Sequence, residues 1–341
     1  MQQFIPKRVL FEQQALKYPL GRELWSRFTK ENIPVAKIAS HNRISGIPGK
    51  TPQEAYREAK STLVVGVRKT LKFEGCKPSA HYQLPLVTSC PGKCEYCYLQ
   101  TTLGKKPYIR IYVNQEEILR RAAQYIEEKK PETTIFEGAA TSDPLPVEPY
   151  SGTLARTIEF FGKQEYGRFR FVTKFTNVDT LLNLAHHHHT RFRFSLNSNY
   201  VISSFEHGTP PLNERIEAAG KVSYAGYPLG FIIAPIMLYD HWQEEYHSLL
   251  ADLKKSLNPL AQFDLTFELI SHRFTKRAKE NILTIFPETK LSMKEEERRV
   301  KYGQFGYIKY LYPKEIYQEM KDFFTQEISR LFPQGKIDYF V

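Results

Sequence analysis

The chain has 341 residues, 41% hydrophobic and 25% charged, the balance of a globular protein rather than a disordered or fibrous one. No run approaches 18 consecutive apolar residues, so no membrane-spanning helix is expected. Lys and Arg outnumber Asp and Glu by 48 to 37, and a net charge of +11 favours a polyanionic partner through counterion release at phosphates.

The N-terminal MQQFIPKRVLFEQQ has no apolar core followed by small residues, so no secretory signal is read there and a cytoplasmic location is expected. Residues 1–80 read as a helical and irregular leader, with helices over 23–31 and 52–60 and turn chemistry at 46–49 between them. Cys76 falls in a turn-like segment, 74–78, and reads as a free, partly buried cysteine rather than a metal ligand. From 81 to 287 strand-like runs alternate with helical patterns. The runs are 84–89, 134–137, 168–175, 191–197, 231–238 and 263–271. Between them, 114–129 starts with a capping-box pair, Asn114 and Glu117, and gathers Ile118, Ala122, Tyr125 and Ile126 on one face. In 240–255, Trp242, Tyr246, Leu249, Leu250 and Leu253 recur at helical spacing. Such alternation implies an α/β fold of parallel strands joined by right-handed crossovers. Six units are too few for a closed eight-stranded barrel and suit a partial (β/α)6 TIM-type barrel over 81–287.

Histidines 186–189 read as a solvated helix C-terminus, where protonated imidazoles suit the helix dipole, and not as a ligand set. After residue 287 a charged run, 294–299, leads into alternating aromatic and Lys residues over 300–312. That pattern predicts a twisted hairpin, followed by an amphipathic helix over 314–331. Residues 288–341 therefore form a C-terminal hairpin and helix addition.

Three of the four cysteines, Cys90, Cys94 and Cys97, lie within eight residues in the spacing C-x3-C-x2-C. Crowded thiolates suit zinc or an iron–sulfur centre. Structural zinc wants four ligands, commonly as two separated pairs, and a fourth would have to be Cys76 or a distant histidine. Ligands in parallel α/β proteins gather at the C-terminal ends of strands. Polar candidates there are Ser142 and Asp143 after Gly138-Ala-Ala-Thr, Lys174, and the pair Ser195 and Asn197. Basic and aromatic candidates for nucleic acid are His272, Arg273, Lys276 and Arg277, then Arg298, Arg299, Lys301 and Lys309 with Tyr302, Phe305 and Tyr307.

The cysteine spacing, just after a first strand and opening a series of βα units, resembles the radical S-adenosylmethionine (SAM) superfamily. The resemblance implies a [4Fe–4S] cluster on Cys90, Cys94 and Cys97, with SAM chelating the open iron and being cleaved to a 5′-deoxyadenosyl radical. SAM would then meet Ser142, Asp143, Lys174, Ser195 and Asn197. More narrowly, residues 89–100, 136–143, 190–195 and 301–312 resemble the spore photoproduct lyase family. That resemblance covers most of the chain. It implies reversal of 5-(α-thyminyl)-5,6-dihydrothymine in DNA to two thymines, begun by abstraction of the C6 hydrogen. It also implies a small electron donor such as flavodoxin or ferredoxin, a monomer, and a place in the spore core.

In the family a cysteine, the proposed hydrogen donor to the product radical, stands where this sequence has Ala140. An alanine C–H bond is too strong to replace a thiol. An engineered change, with an impaired final hydrogen return, is the simplest expectation. Tyr96 and Tyr98 read equally as packing around the cluster or, from the resemblance, as a hydrogen relay. Two alternatives stay open: a radical SAM enzyme acting on RNA or protein, and a zinc-stabilised nucleic-acid-binding protein.

Overall fold

The computed structural model describes residues 3–341 except 43, 45, 105, 304 and 305; the side chains of 261–263 are also outside the description. The chain forms two compact units. One comprises Met1–Pro91, Leu103–Thr173 and Asn177–Arg191; the other comprises Gly92–Thr102, Lys174–Thr176 and Phe192–Val341.

The first unit carries strands β1 (Arg8–Glu12), β2 (Val35–Ile38), β3 (Thr62–Gly66), β4 (Gly75–Cys76), β5 (Ala80–Gln83) and β6 (Val87–Thr88). The short β7 (Lys93–Cys94) belongs to the second unit, and β8 (Ile109–Tyr112), β9 (Thr134–Glu137) and β10 (Gly167–Thr173) return to the first. One sheet runs β2-β1-β3-β8-β6, parallel except for β6. A second set places β10, β9 and β5 in parallel, with β4 antiparallel to β5. Val9, Phe11, Leu63, Val64, Val65, Ile109 and Ile111 are fully buried, as strands covered on both faces require.

The leader expected to be helical and irregular therefore contains three parallel strands. Its helices are real, Pro19–Lys30 and Pro52–Lys60. The second is fixed by a capping box, Thr51 accepting from the Glu54 amide while Glu54 reaches back, and by Pro52 at its first turn. The expected box at Asn114 does not form. Its Oδ1 accepts from the Arg68 amide at 2.8 Å and its Nδ2 donates to Glu117 at 2.9 Å. The face Ile118, Ala122, Tyr125 and Ile126 is nonetheless buried. Of the run expected as a strand over 84–89 only Val87–Thr88 is one: β5 ends at Gln83, before the run begins, and Pro85, which has no N–H for a ladder, lies between them. The histidines do not end a helix. A 3-10 turn, Asp179–Leu181, precedes them, His187 and His188 have φ of 45° and 59°, His186 is buried, and the His189 ring packs 2.8 Å from the Phe161 carbonyl.

The second unit contains β11 (Thr190–Leu196), β12 (Glu206–His207), β13 (Leu229–Ile236), β14 (Leu265–Ser271), β15 (Arg299–Tyr302), β16 (Ile308–Leu311) and β17 (Lys336–Phe340). β11, β13, β14 and β17 pair in that order, all parallel. The helix Trp242–Ser256 buries Tyr246, Leu249, Leu250 and Leu253 as its spacing dictates. The aromatic stretch is the expected antiparallel hairpin, with Val300 opposite Tyr310. The helix Lys314–Leu331 follows, and β17, which no sequence signal had marked, closes the set. The chain is an α/β protein with mostly parallel strands.

Candidate functional site

None of the four cysteines is in a disulfide. On the first-unit side of the loop, Lys60 Nζ donates to the Cys90 carbonyl at 2.9 Å. On the second-unit side, β7 pairs antiparallel with β12, placing Cys94 opposite Glu206. The Cys97 amide and the Gln100 side chain both donate to the Cys94 carbonyl, at 3.2 and 2.9 Å. Among the described residues no three His, Cys, Asp or Glu side chains are drawn together as a metal site. Backbone hydrogen bonds set the loop. As a donor set, three unoxidised thiols fit a [4Fe–4S] cluster with one iron left open.

In the second unit a buried charge clamp forms around Glu206. Lys174 Nζ lies 2.8 Å from Glu206 Oε1, 3.0 Å from Ser195 Oγ and 3.2 Å from Tyr96 Oη. Arg215 Nη2 donates to Glu206 Oε2 at 2.6 Å, and its Nη1 to the Ser195 carbonyl at 2.9 Å. The Tyr96 hydroxyl donates to Glu206 Oε1. Burial alone would raise the Glu206 pKa, but the Lys174 ammonium and Arg215 guanidinium overcome it and hold the carboxyl at about 2. Burial, and then the Glu206 charge, push the Tyr96 phenol well above its ordinary value, so it stays protonated. Two cations face one carboxylate here. The positive charge left over suits the carboxylate of an amino acid.

Lys174 and Ser195 thus come together as the sequence suggested. Ser142, in the first unit, has a buried hydroxyl with no hydrogen-bond partner among the described residues, which fits a ligand group arriving there. Asp143 and Asn197 already hold hydrogen bonds within the protein. Asp143 accepts from Thr173 Oγ1 at 3.0 Å and from the Leu145 amide at 3.2 Å, fixing the turn. Fully buried Asn197 accepts from Tyr246 Oη at 2.6 Å and the Ser198 amide at 3.0 Å, and donates to the Pro235 carbonyl at 2.9 Å. Glu206 and Arg215 were missed: neither belongs to a motif, and only the fold brings them to Lys174.

A cavity of about 890 Å³ in the second unit is lined by Tyr96, Cys97, Tyr98, Arg273, Lys276 and Tyr307 among others. Arg273, Lys276, Arg277, Lys301 and Tyr302 are exposed, as phosphate or base contacts would need to be. Lys309 Nζ sits 5.1 Å from the Tyr307 ring centre. His272 also lines this cavity but is not a cationic phosphate contact. It is buried, and burial, then Arg298, lower its pKa to about 3. Arg298 is structural as well, 3.7 Å from the Tyr312 ring centre and donating to the His272 carbonyl at 2.9 Å. Arg299 Nε is committed to the Tyr312 carbonyl at 2.9 Å. Phe305 lies outside the described residues.

Ala140 lines a separate cavity of about 230 Å³ in the first unit. Cys76 ends β4, on the hairpin whose other strand, β5, pairs with β9. The turn after Cys76 is tied to the Ala140 strand end: Ser79 Oγ donates to Glu137 Oε2 at 2.9 Å, and Glu137 Oε1 accepts from the Ala139 amide at 3.0 Å.

A thiol loop of this spacing leading into parallel βα units, beside a clamp with charge to spare, places the chain among the radical SAM enzymes. Comparison with known proteins narrows this. The family model for spore photoproduct lyase matches residues 4–341. The spore photoproduct lyase of Bacillus subtilis is 51% identical over 337 residues, 99% of this chain and 98% of that protein. That of Clostridium acetobutylicum is 50% identical over 335 residues, 98% of each. A solved spore photoproduct lyase with bound AdoMet and dinucleoside spore photoproduct matches with a TM-score of 0.96 at 50% identity, over 100% of both chains. That protein is a double mutant, with alanine in place of a cysteine at position 140 and cysteine in place of a serine at position 76. The chain belongs to the spore photoproduct lyase family.

Proposed function

We propose that this chain reverses the methylene-bridged thymine dimer of DNA to two thymines, and that Cys76 performs the hydrogen return that Ala140 cannot. The observation that carries the second half is the pair itself. Ala140 and Cys76 occur together here, the same residues at the same two numbers as in the solved double mutant, and the Ser79–Glu137–Ala139 hydrogen bonds tie the turn after Cys76 to the Ala140 strand end. Ala140 is then this protein's own residue, and the final step is not impaired.

Cys90, Cys94 and Cys97 would hold the cluster, with Lys174 and Ser142 receiving polar groups of SAM. Bound there, cluster and SAM supply the carbon-centred radical that removes the lesion's C6 hydrogen. Glu206 and Arg215 keep the Lys174 ammonium in place, and Tyr96, whose hydroxyl hydrogen is committed to Glu206, acts as a positioning residue. After the bridge breaks, the Cys76 S–H bond splits evenly. Its hydrogen atom forms the new C–H bond of the product, leaving a thiyl radical on sulfur. Tyr98, 59% exposed on the second unit's cavity, would restore the thiol by giving its phenolic hydrogen to that sulfur, and would regain a hydrogen atom from 5′-deoxyadenosine, which holds the one first removed from the lesion and is left as the radical again. Arg273, Lys276 and Lys301 hold phosphates of the DNA, with Tyr302 and Tyr307 against unstacked bases. A partial (β/α)6 barrel, a monomeric state, a small electron donor such as flavodoxin or ferredoxin, and a place in the cytoplasm of the spore core complete the proposal.

The test is anaerobic turnover of a lesion dinucleotide by the cluster-loaded enzyme. Cys76→Ala should leave lesion consumption in the first turnover unchanged while cutting the yield of intact thymine dinucleotide at least about tenfold. Adding Ala140→Cys to that variant should restore the yield. An undiminished yield from Cys76→Ala would sink the assignment.

A further inference from the structure

The cavity beside Ala140 has a second wall that the hydrogen-return chemistry does not use. Arg68 and Arg110 line it, with Thr88, Gln83 and Tyr112. Arg110, on β8, donates through Nη1 to Asn42 Oδ1 at 2.8 Å, and its guanidinium carbon lies 5.2 Å from the Tyr108 ring centre. Its Nε is buried and has no hydrogen-bond partner among the described residues. Arg68 follows β3. Asn114 Oδ1 fixes its amide at 2.8 Å, its Nε donates to the Thr70 carbonyl at 3.0 Å, and its guanidinium carbon lies 5.9 Å from the Tyr112 ring centre. Among the described residues neither guanidinium forms an ion pair, and Glu74 on the lining is exposed to solvent.

A buried N–H left without an acceptor costs free energy that a ligand oxygen can recover. Planar guanidinium groups held against aromatic rings are prepared for phosphate, which accepts their parallel N–H donors. A volume of about 230 Å³ has room for such a group, since one water takes roughly 30 Å³. Under the function proposed above, hydrogen returns from Cys76, and the turn after Cys76 is tied to the strand end of Ala140, so a polar group in the cavity beside Ala140 would meet the backbone of the lesion. We propose that Arg68 and Arg110 bind a phosphodiester of the DNA strand, at or next to the lesion. This rests on the function proposed above and adds the part of the substrate that this cavity recognises.

The experiment compares two substrates with the cluster-loaded enzyme: the lesion as a dinucleoside, which has no phosphodiester, and the same lesion within a tetranucleotide. The unmodified protein should have the lower KM for the tetranucleotide. Arg68→Gln with Arg110→Gln should reduce that preference about tenfold, as loss of a charge-assisted pair implies, with dinucleoside turnover unchanged. Arg110→Lys should keep part of the preference, because the charge remains while the planar fork is lost. The proposal is overturned if the preference survives the double substitution, or if dinucleoside turnover falls as far as that of the tetranucleotide. Failure of the unmodified enzyme to turn over the dinucleoside would instead strike the proposed function, so the two failures are distinguishable.

Discussion

Replacing Glu206 with Gln probes the clamp at its centre. The side chain keeps its shape and loses its charge, leaving Lys174 and Arg215 facing each other with no anion between them. The carboxyl is held at about 2 against an ordinary 4.5, and a gap of roughly 2.5 units corresponds to about 3 kcal/mol at neutral pH. Breaking a buried pair from one side typically costs about 3–5 kcal/mol, so the two lines of reasoning agree. That should lower the melting temperature by roughly 4–7 °C. The pH course follows from the direction of the shift. A carboxyl depressed in the folded state stabilises fully above its unfolded pKa, and that stability is lost as pH falls through its folded pKa. The gap between the unmodified protein and Glu206→Gln should therefore be constant from pH 8 to 5, shrink below about 4.5 and close near 2. Scanning calorimetry across that range measures it. A gap under about 1 °C at pH 7, or one that persists unchanged into acid, would refute the clamp as the source of stability.

Two further outcomes are expected beyond those for Cys76 and Arg110. His272 is neutral in the folded protein, with its pKa lowered to about 3, so stability should fall as pH drops from 6.5 towards 3, by at most about 1.4 kcal/mol per unit. His272→Gln should flatten that limb, and urea midpoints that move equally with acid in both proteins would contradict it. Arg273→Ala should weaken binding of lesion DNA and lower the slope of log affinity against log salt by about 0.9 if one phosphate contact is lost. An unchanged slope would remove Arg273 from the phosphate contacts.

The strongly periodic stretches were legible from residue order alone. The helix over 314–331, the hairpin around 300–312 and the parallel strands carrying Lys174 and Ser195 all announce themselves through spacing. β1 and β3 escaped because both faces are buried and no period of two exists to show, and β2 because it has only four residues. β17 escaped because Lys336–Phe340 is only five residues long, and Lys336 and Asp338 put charge on it as a loop would. At the site, the cysteine spacing carried the metal chemistry, but where a side chain points was not legible. Asn197 and Asp143 are polar groups on strand ends whose bonding capacity turns inward. Cys76 looked ordinary because its relation to Ala140 runs through a hairpin and a glutamate far along the chain.

The two-residue ladder between β7 and β12 joins two sites that chemistry treats separately. Cys94 and Glu206 are opposite partners in it, so the peptide of the thiol loop and the peptide carrying the clamp's carboxylate share one set of backbone hydrogen bonds. Any rearrangement of the thiol loop on taking up iron and sulfide is thus felt at Glu206, and through it at Lys174 and Tyr96. If the clamp receives the amino-acid end of SAM, as proposed, metal uptake and SAM binding are linked equilibria: the factor by which the cluster changes the affinity for SAM is the factor by which SAM changes the affinity for the cluster.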